Sequence, residues 1–78
     1  MNRDELKKIL DVKKVPHMSY SLDGLKNGMS LCIVPENNKW KLIYVERSSK
    51  NYIGEYNSEH DVCDAFYQIM KDDYGWKD

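Results

Sequence analysis

"KWKLIYVERSSKNYIGEYNSEHDV", residues 39–62, holds an apolar strand, a turn, a second strand and the start of a helix. Trp40, Leu42 and Tyr44 fall on one side of an extended chain, and Ile43 and Val45 on the other. A strand apolar on both sides is central in its sheet or covered on both faces. It ends on Glu46-Arg47, and Ser48-Ser49-Lys50-Asn51 reads as a turn. Residues 52–56 form a further strand, weakened by Gly54. Ser58 then opens a helix, and Asp61 three residues later resembles a capping box with the shorter acid. Val62, Cys63, Phe66, Ile69 and Met70 follow at helical spacing, with Ala65 at the edge of the stripe. The helix runs to about residue 73, with Gly75 as a terminator.

Upstream, Pro35-Glu36-Asn37-Asn38 reads as a hairpin connection and residues 29–34 as a strand with Met29, Leu31 and Ile33 on one side. Asp23-Gly24 and Asn27-Gly28 are turn dipeptides. Residues 17–22 alternate, placing Met18, Tyr20 and Leu22 on one face of another strand. Residues 3–13 read as a helix capped by Asn2, with Asp4 and Glu5 in its first turn and Lys13-Lys14 at its end. Pro16 stops it. The order is αββββα. Short connections predict a four-stranded antiparallel β-meander packed by two helices, a two-layer α+β domain over residues 1–78. The expected core is Leu6, Ile9, Leu10, Met18, Tyr20, Leu22, Leu31, Ile33, Trp40, Leu42, Tyr44, Val62, Phe66, Ile69 and Met70.

Seventy-eight residues suffice for one core. The chain is 41% apolar and 32% charged, too apolar and aromatic for disorder. A net charge of −1 argues against a general nucleic-acid binder. Residues 58–78 hold six acids against Lys71 and Lys77, so the C-terminal segment is the acidic part. The longest apolar run, residues 31–34, is far short of a membrane span, and the first residues lack an apolar signal region. A cytoplasmic location is expected.

Several chemistries can be set against these residues. Cys32 and Cys63 lie in apolar runs and read as buried free thiols. With His17 and His60 they offer four metal ligands, but without the close pairs of a zinc site. A Cys63–His60 nucleophile lacks an electropositive setting, since Asp61 and Asp64 would raise the thiol pKa. Glu46 and Glu55 could pair as carboxylates on neighbouring strands, although such positions more often face Lys or Arg. The glycines form no phosphate loop. No catalytic residue, metal or cofactor is expected. Tyr20, Tyr44, Tyr52 and Tyr56 could form a stacking face for single-stranded nucleic acid, or could be core residues with hydroxyls at the edge. Alternation directs Glu46 and Arg47 to opposite faces, each in an edge ion pair. Asp61, Asp64, Gln68 and Asp72 form one outward ridge on the last helix: a solvated face, or the contact row for a basic partner.

The run Cys32, Trp40 to Ser48, Tyr56 to Glu59 and Val62 to Phe66 resembles a group of small bacterial immunity proteins. These guard cells against polymorphic or contact-dependent toxins. In that pattern a Trp-containing strand ends in Glu-Arg-Gly, and a Ser-Glu opens a helix with a small or cysteine residue. This chain has Ser48 where the pattern has glycine. The resemblance covers roughly residues 17–70. It implies a non-enzymatic inhibitor of a cognate toxin domain, often a nuclease with a basic groove. On that reading Asp61, Asp64, Gln68 and Asp72 make the contact ridge, with Glu46, Glu55 and Glu59 in support. A sheet-based nucleic-acid module and a homodimeric regulatory protein stay open as alternatives.

Overall fold

The structure, a computed structural model, describes residues 1–47 and 49–76. Among them the chain runs α1 (Arg3–Val12), a 3-10 turn at His17–Ser19, β1 (Tyr20–Ser21), β2 (Ser30–Glu36), β3 (Lys39–Glu46), β4 (Ser49–Tyr56) and α2 (Glu59–Tyr74). Asn2 caps α1 through a full capping box: its Oδ1 accepts the Glu5 N–H at 2.9 Å, and Glu5 Oε1 accepts the Asn2 N–H at 3.0 Å. The helix ends ahead of Pro16. Lys14 takes a φ of 60°, and the Val15 N–H reaches the Leu10 carbonyl at 3.0 Å. A lysine thus fills the left-handed position that glycine usually holds. In α2 the Ser58 hydroxyl accepts the Asp61 N–H at 3.1 Å. Gly75, at φ 69°, lets the Trp76 N–H return to the Lys71 carbonyl at 3.0 Å.

The sheet order is β1-β2-β3-β4. β2/β3 and β3/β4 pair antiparallel, but β1 lies parallel to β2, so the sheet is mixed and the expected all-antiparallel meander is corrected at its first step. Asp23-Gly24 and Asn27-Gly28 do not close a hairpin. With Gly24 at φ 104° and Gly28 at φ 97°, residues 22–29 carry the chain back so that β2 starts beside β1 in the same direction. Only Tyr20 and Ser21 pair with β2, so a short return is enough.

The β2–β3 hairpin is tighter than its sequence suggests. Glu36 pairs with Lys39, leaving Asn37 and Asn38 as a two-residue loop with φ 51° and 63°. Positive φ at both positions is the I′ turn that matches strand twist, and asparagine tolerates it. Pro35 sits inside β2, beyond the two residues that pair with β1, so its missing N–H costs no ladder bond there. Glu46 pairs with Ser49, so β4 begins where a turn was expected. Arg47, in that connection, takes a left-handed φ of 57°. Ser48, the departure from the immunity pattern, lies outside the described residues.

The main core lies between helices and sheet. It joins Leu6, Leu10, Val15, Tyr20, Leu31, Ile33, Leu42, Val62, Cys63, Phe66 and Met70. Trp40, Tyr44, Leu22 and Ile69 pack at its margin. Met18, placed in the core by alternation, is 81% exposed, because residues 17–19 form a 3-10 turn with no two-residue period. Val15, just after the left-handed lysine, is buried near Tyr20 in the same cluster. On the far face Cys32, Ile43 and Val45 make a second small cluster with Val34, so β3 is covered on both sides. Ser30 is fully buried there and donates to the Lys26 carbonyl at 2.9 Å, which folds the 22–29 connection over that end. None of the described helices is long and apolar enough to cross a membrane.

Candidate functional site

α2 presents two different faces beyond the core. On its outward face Asp61, Asp64, Gln68 and Asp72 are all exposed, in the row that 3.6-residue spacing dictates. The row is not a string of free carboxylates. Asp64 Oδ2 lies 3.1 Å from His60 Nε2, and its Oδ1 lies 3.8 Å from the terminal ammonium of Met1. Gln68 Nε2 donates to Asp72 Oδ1 at 3.0 Å. Asp61 keeps its carboxylate in solvent.

The supporting acids do not join this row. Glu59 Oε2 accepts the Arg3 N–H at 2.9 Å and the Arg3 Nε–H at 3.1 Å. These bonds hold the Glu59 carboxyl below its ordinary pKa, the backbone bond contributing most. It ties the N-terminal ends of the two helices together. Glu55 faces Lys41 in register, which puts it on the sheet face opposite the helices. Glu46 ends β3 at the other end of the sheet, so it does not pair with Glu55 as a dyad. Arg47 lies in the turn, so strand alternation does not direct it. Neither Glu46 nor Arg47 makes the edge ion pair expected for it among the described residues.

The four tyrosines do not form one platform. Tyr20 is buried, with its ring edge-on to Phe66 at 6.1 Å. Tyr44 and Tyr56 follow Leu42 and Trp40 on the helix side. Tyr52 alone of the four lies on the outer face, where Lys41 Nζ sits 5.4 Å from its ring centre. Lys41 also donates to Glu36 at 2.7 Å, and its pKa is raised by these partners, Glu36 first.

Cys63 is fully buried, and burial followed by the Glu59 charge pushes its thiol up to about 11. His60 is largely exposed and engaged by Asp64; His17 pairs with Asp11 at 3.1 Å. Among the described residues, no three His, Cys, Asp or Glu side chains are placed to hold a metal.

Sequence reasoning missed a groove of about 510 Å³ between the C-terminal half of α2 and the sheet. Leu31 and Tyr44 form its floor, and Ile69, Met70, Asp73 and Tyr74 its helical wall. Met29 and Ile53 stand at its two sides and, like Tyr74, are exposed. Ile53 is there because of a bulge: Leu42 pairs with Gly54 and Ile43 with Tyr52, so Ile53 has no partner on β3. Gly54 inside a strand was the available signal, since a lone strand glycine often marks a bulge. Tyr74 lies beside Trp76, with 5.9 Å between ring centres and the rings tilted by 39°. No known protein family matches the chain, and no curated protein or solved structure is significantly similar to it.

Proposed function

We propose that this chain is an immunity-type protein that neutralises a cognate toxin domain, a nuclease by preference, through stoichiometric occlusion without chemistry of its own. The observation that carries the reading is the exposed row Asp61, Asp64, Gln68 and Asp72 on one helix face. A basic substrate groove would meet this row, and such charges speed encounter more than they add affinity. Glu59 is bonded to Arg3, Glu55 lies on the sheet face opposite the helices, and Glu46 stands at the end of β3, off this row. The proposal therefore rests on the row itself.

The test pairs the purified chain with the C-terminal domain of a secreted protein encoded beside it. Asp61→Asn, Asp64→Asn and Asp72→Asn together should slow association about tenfold or more at low ionic strength. The salt dependence should flatten while the circular dichroism spectrum holds. Unchanged binding and unchanged protection of cells would remove the row from the mechanism. A second reading has one observation in its favour. β4 is an edge strand over all its residues, Ser49–Tyr56, and such edges pair readily with another chain. Sedimentation at micromolar concentration decides whether that partner is a second copy.

A further inference from the structure

The groove beside α2 has a polarity that its position does not explain. Asp73 lies seven residues after Phe66 and three after Met70, so helical spacing puts it on the side of α2 that buries those residues. An apolar residue is the ordinary choice there. The carboxylate instead borders the apolar groove, is exposed, and has no cation paired with it among the described residues. Opposite it, the β4 bulge aims Ile53 into the same space, the kind of local irregularity that re-aims side chains at binding sites. Met29 adds a pliable, exposed thioether at the β2 end. A volume of about 510 Å³ lies within the range of sites that take large side chains or small ligands.

We infer that this groove anchors a protein segment that presents a large apolar side chain next to a lysine or arginine. The apolar group fills the space between Ile53, Tyr44 and Met70, and the cation meets Asp73. The inference rests on the reading of the chain as a protein-binding inhibitor, and it names what the partner must offer. Charge chooses this occupant over a bare apolar ligand, because such a ligand would leave the carboxylate at the border of an apolar contact without a counterion.

A random peptide library displayed on phage is panned on the intact chain, and enriched peptides are synthesised and titrated by methyl NMR. The expected sequences carry a large apolar residue beside Lys or Arg. Their binding shifts the methyl signals of Met29, Ile53, Ile69 and Met70. Asp73→Lys and Ile53→Asp, both at exposed positions, each weaken binding about tenfold or more, which corresponds to about 1.4 kcal/mol. The triple ridge variant keeps peptide affinity nearly intact. A groove failure therefore shows in the Ile53 and Asp73 variants, and a failure of the inhibitor reading shows in the toxin-domain assay. Enrichment of nothing, enrichment of acidic or uncharged motifs, or insensitivity to both groove variants overturns the inference. So does self-association of the chain that both Ile53→Asp and Asp73→Lys abolish, which would assign the groove to a second copy.

Discussion

Replacing Glu59 with glutamine tests whether one carboxylate joins the two helices. Glu59 Oε2 accepts both the Arg3 N–H at 2.9 Å and the Arg3 Nε–H at 3.1 Å. The Arg3 amide is one of the donors orphaned at the start of α1, and Glu59 is itself the first residue of α2. Its charge thus lies near the positive ends of two helices. The side chain is 33% exposed, so the ion pair is discounted for solvent screening to under about 1 kcal/mol. The bond from the part-buried Arg3 amide adds about 1 kcal/mol and each helix end a few tenths. Glutamine keeps an acceptor but loses the charge, so Glu59→Gln should cost about 1–2 kcal/mol at neutral pH. For a domain of this size that lowers Tm by about 4–16 °C. The pH sign follows from the lowered folded-state pKa of Glu59. A carboxyl depressed in the fold contributes stability that is complete above its unfolded pKa of about 4.3 and is lost as pH falls through the folded value. Urea unfolding of both chains, at neutral pH and at roughly pH 3, should show the gap at the first and its decline at the second. A gap below about 0.5 kcal/mol at neutral pH, or one that persists undiminished in acid, defeats this account of the helix junction.

Lys14→Gly should stabilise the chain by about 0.5–1 kcal/mol in urea titrations, because glycine holds φ 60° without the Cβ penalty. Phe66→Ala should cost about 3–5 kcal/mol, given full burial and the edge contact with Tyr20. Total stability for this length is about 4–12 kcal/mol, so the variant should show collapsed NMR dispersion or a much lower urea midpoint. Cys63, with its thiol pushed up to about 11 and fully buried, should resist iodoacetamide in the native chain and react at the rate of global unfolding. Fast labelling under native conditions would show that the helix–sheet interface opens locally.

The elements with strong, uninterrupted periodicity were legible from the sequence. α2 was, because Val62, Phe66 and Met70 repeat over several turns between a serine cap and a glycine stop. β3 was, because Leu42 and Ile43 both demand cover and both receive it. The first strand was not. His17 to Leu22 alternates convincingly, yet after Val15 and Pro16 residues 17–19 fold into a 3-10 turn, which leaves only Tyr20 and Ser21 to pair as a strand. Met18 then points outward. The parallel pairing of β1 was hidden for a related reason: two Gly-containing turn dipeptides in one connection look like hairpin turns, and only tertiary contact reveals that they reverse the chain twice. The left-handed residues at Lys14 and Arg47 carry no sequence signal, since neither type favours that conformation.

The acidic row was legible because a helix face needs only spacing. Its electrostatics were not, because Asp64 is met by His60 and the terminal ammonium, partners that sequence distance conceals in one case. The groove was illegible in a different way. It arises where α2 extends along the sheet until its stripe no longer meets a packed surface, and where one extra residue in β4 places Ile53 at the groove's side. Periodicity describes what packs and says little about space left unpacked. Asp73 marks the transition. By spacing it belongs to the buried stripe, by chemistry to solvent, and the conflict between them is the local feature expected where a fold gives up consistency for binding. The two faces of α2 therefore differ in kind. On the inhibitor reading proposed above, the outer row guides a basic partner toward the helix and the groove holds it, so ridge variants should act on association rate and groove variants on dissociation rate.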